Sequence, residues 1–445
     1  MKSVTTWLAA MLVVAVLTAD AASAQTSAAP APLRLSDLYQ NVRVKHPRLA
    51  AARALVDAKR ALEAGAGLPP DPQVQVGAMN LSLPGLSADM PSSMAPFVEV
   101  MQMLPIGKLG VSKRIAEQST QIARADADES WWEVRAEAAM AFYEVYQADR
   151  EIAIMKETLR LMQDFRKVAQ AMYAAGEGRQ ADVLRAGVEV ARMHAEIKRM
   201  EAMRTGAGAR LNAALNQPAD AAVGAPQLPD LPMQIPVTDT LRAWAEASRP
   251  MLARGRTETE QAASRVKLAR KEIIPDFSIG VQYGQRRAQL NAMDAALPPE
   301  YSTERMGSVM LGFSVPLFAG KRQMKMREEA EAMRVMAQAD LTRMRTLVDA
   351  RLIELGASLE RSRTLMELYR TEVLPQAQAA VQSAFSSYRV GQVDFMTLVD
   401  AQLAVNKYKQ ELAALQADYG AGIAELEMTM GRELPFTAAL TAEGN

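Results

Sequence analysis

Between residues 277 and 283 the odd positions are Phe277, Ile279, Val281 and Tyr283, and the even ones are Ser278, Gly280 and Gln282. From 306 to 315, Val309, Leu311, Phe313 and Val315 alternate with Ser308, Met310, Gly312 and Ser314. A period of two puts apolar residues on one face of a strand and small or polar ones on the other. Such a sheet can face lipid on one side and water on the other. Elsewhere the apolar spacing is three and four. Leu398, Ala401, Val405, Tyr408, Leu412, Leu415 and Tyr419 form one seam, and Val183, Ala186, Val190, Met193, Ile197 and Met200 form another. A repeat of about 3.5 residues predicts long helices that supercoil against neighbours.

The two seams are copies. Residues 173–186 (YAAGEGRQADVLRA) align without a gap on residues 388–401 (YRVGQVDFMTLVDA) at a shift of 215. Each lies between two helical stretches, so the chain reads as a duplication. In the first copy, helix is predicted over about 36–64 with Ser36 as N-cap, strands over 72–83 and 97–104, and a loop over 84–96. A helix then runs from 110 to 174, ~98 Å at ~1.5 Å per residue, and a second from about 182 to 216. Residues 217–236 carry Pro218, Pro226, Pro229, Pro232 and Pro236 and read as a linker. The second copy repeats the order: helix over 239–271, strands over 276–284 and 306–315 around a loop at 286–304, helix over 322–389, and a last helix over 394–431. Pro375 interrupts the long helix and is expected to kink it. The domain plan is therefore a first repeat over 25–216, a linker over 217–236, a second repeat over 237–433, and a tail over 434–445.

Composition sharpens this picture. Lys2, an apolar stretch from Trp7 to Leu17 and the small residues Ala22, Ser23 and Ala24 read as a signal peptide over 1–24. No later stretch reaches about 18 consecutive apolar residues, so no transmembrane helix is expected. With 0 Cys, an exported chain has neither disulfides nor a cysteine to carry lipid. The 51 basic and 51 acidic residues balance, which leaves no electrostatic footprint for nucleic acid. There is no phosphate loop, no cysteine nucleophile and no histidine with an evident orienting partner, so catalysis has no support and no cofactor is expected. Four strands cannot close a barrel, whose smallest membrane form has about 8. Open edges in lipid would strand unpaired backbone groups. Strands that span a membrane here must be pooled by two chains or more.

The segment 386–412 (SSYRVGQVDFMTLVDAQLAVNKYKQEL), its partner at 173–186, the His46-Pro47 and Arg249-Pro250 pairs, and the Pro105–Lys108 and Phe318–Lys321 junctions together resemble the TolC family of outer-membrane efflux proteins. The likeness covers essentially the whole mature chain. It implies a mainly α fold with a membrane β-barrel part. Three chains would each give four strands to a 12-stranded barrel in the outer membrane, and their helices would form a periplasmic tunnel. It implies a homotrimer that docks on a periplasmic adaptor and an inner-membrane pump of the resistance-nodulation-division type, acting as a passive duct. It places Asp182, Asp400 and Tyr388 at the periplasmic constriction, and Gly176, Gly178, Gly391 and Asp394 in the tip turns that meet the adaptor. Thr397 stands where well-known members carry another aspartate, and Val393 where they carry a basic residue; Asp394 and Arg179 are nearby. The plainer reading of Asp182 and Asp400 is that acidic residues favour helix starts.

The 28 methionines include Met101, Met103, Met306 and Met310 on the polar strand faces. Thioethers suit soft ions such as Cu(I), which fits a heavy-metal branch, while methionine is also an easy packing residue. A drug-efflux or protein-secretion duct, and a soluble periplasmic coiled-coil protein, are the competing readings.

Overall fold

A computed structural model describes residues 32–81, 93–289 and 300–435. The segment expected to be a signal peptide, the loop segment 82–92 and most of the expected C-terminal tail lie outside them. The elements run α1 (Leu35–Lys45), α2 (Pro47–Gly65), β1 (Gln73–Met79), β2 (Met94–Leu104), α3 (Leu109–Ala174), α4 (Gln180–Ala214), then α5 (Thr238–Ser248), α6 (Pro250–Lys271), β3 (Phe277–Gln289), β4 (Tyr301–Phe313), α7 (Gln323–Leu368), α8 (Leu374–Arg389) and α9 (Phe395–Met430). The second half repeats the first, with one difference in its long helix. A π-helical turn, Tyr369–Val373, separates α7 from α8. It lies directly before Pro375. Proline lacks the N–H that the i→i−4 ladder needs, and its ring crowds the carbonyl four residues back. A one-residue widening of the helix absorbs both faults. Arg160 occupies the equivalent place in α3, which runs unbroken for 66 residues.

Three expectations need correction. The helices predicted over 36–64 and 239–271 are each two helices, broken at His46 (ψ 124°) and Arg249 (ψ 118°). Each precedes a proline, whose Cδ pushes the preceding residue out of the α region and whose fixed φ then starts a new helix. The first helix also starts earlier than expected, with Arg34 rather than Ser36 at the cap. Burial of Leu35, Leu38, Tyr39 and Val42 sets that start. Finally, β3 and β4 are longer than predicted. Residues 286–289 and 301–304, read as loop, continue the ladder, with Arg286 opposite Glu304 and Gln289 opposite Tyr301. Polar residues masked these ends of the strands, because the alternation of apolar residues stops before the pairing does.

The four strands form one antiparallel sheet in the order β1-β2-β3-β4. β2 and β3 join the two copies directly. The ladder is irregular between Met94 and Phe97, where Pro96 has no N–H to give.

The helices form a long bundle. The predicted seams are internal: Leu398, Val405 and Tyr419 on α9, and Ala186, Val190, Met193, Ile197 and Met200 on α4, are all buried. Helix α9 packs on α3 and α7 as well as α8. It packs tightly on α3 at Gly420, where a Cβ would lie 2.2 Å from the Tyr143 ring. No side chain fits there. The 217–236 segment is not free of the bundle: Leu33 and Ala225–Gln227 exchange backbone hydrogen bonds, and the Tyr419 hydroxyl donates to the Pro232 carbonyl. Leu434, the first residue of the expected tail, is fully buried.

One ion pair ties α3 to the end of α9. Arg135 Nη1 lies 2.6 Å from Glu427 Oε2, with both side chains 1% exposed. Glu427 also accepts from the Leu434 N–H at 2.8 Å, and the guanidinium lies 4.2 Å from the centroid of Tyr39. Burial works against the Arg135 charge, and the neighbouring Glu427 and Glu433 carboxylates offset it. Glu427→Ala leaves a buried cation and an orphan N–H, and is expected to cost about 3–5 kcal/mol. The paired change Arg135→Met with Glu427→Leu costs far less. Denaturant unfolding of the helical circular-dichroism signal distinguishes the two.

Candidate functional site: the sheet faces and the helical tips

Cross-strand register sorts every sheet side chain onto one of two faces. One face carries Val74, Val76, Val98, Val100, Phe277, Ile279, Val281, Tyr283, Val309, Leu311 and Phe313. All are exposed, up to 78% at Leu311. Soluble monomers rarely expose a contiguous apolar patch of this kind without a partner. The strands β2, β3 and β4 have 11, 13 and 13 residues, long enough to cross a bilayer, which takes about 9–11 tilted residues. The free edges of β1 and β4 are unpaired within the described residues.

The other face mixes polar and small residues with methionines and Phe97. One row across the sheet reads Gln75, Glu99, Gln282, Ser308, and the next reads Gln73, Met101, Gly280, Met310. All four methionines singled out from the sequence fall on this face. Met103 lies opposite Ser278, and Met306 opposite Gly284. The Met306 sulfur has Arg286 Nη1 at 3.9 Å.

Below the sheet, Lys108 joins the two copies. Its ammonium is 2.8 Å from Asp276 and 3.2 Å from Glu272. Burial disfavours that charge, yet the bonds to the two carboxylates hold it above the ordinary lysine range. Lys271 donates to the Gly107 carbonyl at 2.6 Å. The sequence marks the Lys108 junction as a repeat landmark, but contains nothing that pairs it with Asp276.

At the far end, the two turns share one backbone solution. Gly176 (φ 79°) and Gly391 (φ 73°) are left-handed. Glu177 N donates to Met172 O, and Gln392 N to Ser387 O, both at 2.9 Å; these are the same bond in the two copies, and it closes the helix end. Gly178 has a different reason: a Cβ there would lie 2.8 Å from Tyr173 N.

The side chains diverge. Tyr388 is 4% exposed, while its copy Tyr173 is 48% exposed. Its ring packs edge-on against Phe395, 5.5 Å between centroids. Burial, and then the charge of Asp182, pushes the Tyr388 phenol up, so Asp182 and Tyr388 share one neighbourhood. Asp394 caps α9, accepting from Thr397 N at 3.0 Å and Thr397 Oγ1 at 2.6 Å. These bonds, then the charges of Arg185 and Arg179, hold its carboxyl below the usual range. Asp400 lies on the exposed side of α9. The sequence suggested Asp394 as a substitute acidic residue; its position at the cap, three residues before Thr397, is the signal that identifies its local role.

With this geometry in place, the comparisons are decisive for class. A family model described as Outer membrane efflux protein matches residues 38–217 and 241–432. The chain belongs to that family. Its fold is shared by VceC of Vibrio cholerae (18% identity, 90% of this chain and 96% of that one, TM-score 0.74). The outer-membrane channel OprN (19%, 89% of each chain, 0.69) and CusC (15%, 89% and 93%, 0.73) share it too. None of the curated proteins compared with it matches. The protein is thus a channel component of a tripartite efflux-type system, set in the outer membrane with its helices reaching through the periplasm. It is a passive conduit and not an enzyme.

The depressed Asp394 carboxyl gives a pH signature. Its contribution is complete above the usual aspartate range, near ~3.9, and is lost as pH falls through the lower folded-state value. The protection of the Thr397 amide, the slowing of its exchange relative to the intrinsic rate at each pH, is expected to fall in acid. Asp394→Asn keeps the cap and removes the pH dependence, whereas Asp394→Ala speeds exchange at every pH. Hydrogen-exchange mass spectrometry over 395–400 reads both.

Proposed function

We propose that three copies close a 12-stranded barrel, β4 of each pairing with β1 of the next, above a continuous helical tunnel. The observation that carries this is the sheet itself, apolar and exposed on one face and open at both edges. Water tolerates neither feature at this scale, and lipid tolerates the face only once the edges are paired. A soluble coiled-coil protein leaves the apolar face unexplained.

The tip turns at Gly176, Gly178, Gly391 and Asp394 are then the surface offered to a periplasmic adaptor, with an inner-membrane pump of the resistance-nodulation-division type behind it. Asp182 and Asp400, repeated three times about the axis, would set a negative field at the entrance and favour cations. Tyr388, packed on Phe395 and within the field of Asp182, holds the two tips of one chain together. For cargo, the inward methionines support soft-metal ions over a drug or protein substrate.

Native mass spectrometry of the mature chain in detergent is expected to give a trimer, and planar bilayers cation-selective channels. Asp182→Ala with Asp400→Ala is expected to raise conductance and relax both cation preference and divalent-ion block. Unchanged values on all three counts would remove these residues from the constriction.

A further inference from the structure

Glu99 is an anomaly in the sheet. It is 8% exposed on a sheet whose opposite face is open, and Gln282, directly across from it, is 6% exposed. Among the paired rows from Gln73 to Gly77 and their partners on β2, β3 and β4, it is the only ionisable group on its face. No basic side chain among the described residues pairs with it. A sheltered carboxylate without a counter-charge is costly. A bound cation would supply that counter-charge.

Its surroundings select the cation. The adjoining row places Met101 and Met310 on the strands either side of Gly280. A Cβ at Gly280 would stand 3.3 Å from Glu99 Oε1 and 3.6 Å from both Cβ and Cε of Met310. The glycine's missing side chain is a gap over β3 that Glu99 Oε1 and the Met310 side chain fill. Met101 and Met310 are two strand spacings apart, about 9.6 Å, within reach of two long side chains meeting over that gap. The Gln282 amide nitrogen is buried without an acceptor; turning the amide over would present its oxygen instead. Met306 and Met103 do not join the group, the first being held beside the Arg286 cation and the second lying one row farther along β2, opposite Ser278.

We propose that Glu99, Met101 and Met310 form a binding site for a soft monovalent cation, of the Cu(I) or Ag(I) class, on the lumenal wall of the barrel. This rests on reading the polar sheet face as the lumen. Two thioethers match a soft ion of low coordination number, and one carboxylate balances a single positive charge. Calcium or magnesium would need about six oxygens or more, which the gap does not supply. Three such sites would ring the barrel at one height, giving an exported ion a resting place partway along the duct.

The test uses the detergent-purified, full-length mature protein and silver nitrate in chloride-free buffer. Calorimetry counts the bound silver, and X-ray absorption at the silver edge reports sulfur neighbours. Met101→Leu with Met310→Leu is expected to lose one silver ion per chain together with its sulfur signal. Glu99→Gln is expected to weaken that site at least about tenfold, and Met103→Leu with Met306→Leu to leave it intact. Equal silver stoichiometry and affinity in wild type and the Met101/Met310 variant would overturn the site, as would an equal loss in the Met103/Met306 control. Channel formation is scored separately in bilayers. A wild type that loads silver at these residues but forms no channel would overturn the duct reading and leave the site standing.

Discussion

The rest of the structure depends on the satisfaction of backbone hydrogen bonds in a medium without water. A strand that crosses lipid must pair on both sides, because each unpaired N–H or C=O costs several kcal/mol there. This chain makes only four strands. It therefore carries two edges that it cannot satisfy alone, and an apolar face that only lipid suits. The duplication follows the same logic. Each copy supplies a two-stranded unit, and β2 against β3 is the first join between units. In the proposed barrel, copies of the chain would extend that join by repetition, with the contact that welds the two halves as the template for the contact between chains.

The helices must then hold the sheet at one end and reach far from it. α3 does this as a single rod, and α9 lies along it. The packing between them tolerates no looseness at Gly420, where Tyr143 fills the space a side chain would need. The Arg135–Glu427 pair sits in the same contact and is specific for another reason. Its Coulomb attraction is offset by the cost of burial, so its main effect is to penalise any other register of α9 on α3. Lys108 does the equivalent where helices meet sheet, clamping the start of β3 to the end of β2.

Much of this was legible in the sequence. The shift of 215 gave the duplication, and period-two alternation gave the strands and their apolar face. The heptads gave the buried seams of α4 and α9. What was not legible were contacts between distant positions. Nothing near Lys108 predicts Asp276, and nothing near Glu427 predicts Arg135. The splits at His46 and Arg249 could have been read, since a proline follows each; the apolar period running through them obscured the break. The polar ends of β3 and β4 escaped because pairing there outlasts the hydrophobic signal. At the tips, the matching glycines suggested two equivalent turns, which the backbone bears out, while the burial of Tyr388 and exposure of Tyr173 depend on Phe395, for which the first copy has Gln180.

That divergence bears on how the second hairpin differs from the first. Its tip is fixed by two local interactions, the Asp394 cap and the ring of Tyr388 on Phe395, while the charges of Arg179 and Arg185 on the first hairpin act on Asp394. The first tip has a helix start without a side-chain cap, at Arg179. Higher up, the order reverses. α3 is continuous, while the strand of backbone hydrogen bonds from α7 to α8 changes register at Tyr369–Val373. A break in the ladder is where a helix changes direction at least cost. The second hairpin thus pairs a fixed tip with a weak point in its shaft, and the first a stiff shaft with a less constrained tip. Motion of the second hairpin about the π turn would carry Tyr388 and Asp394 as one piece, and would change what Asp182 faces without remaking either turn.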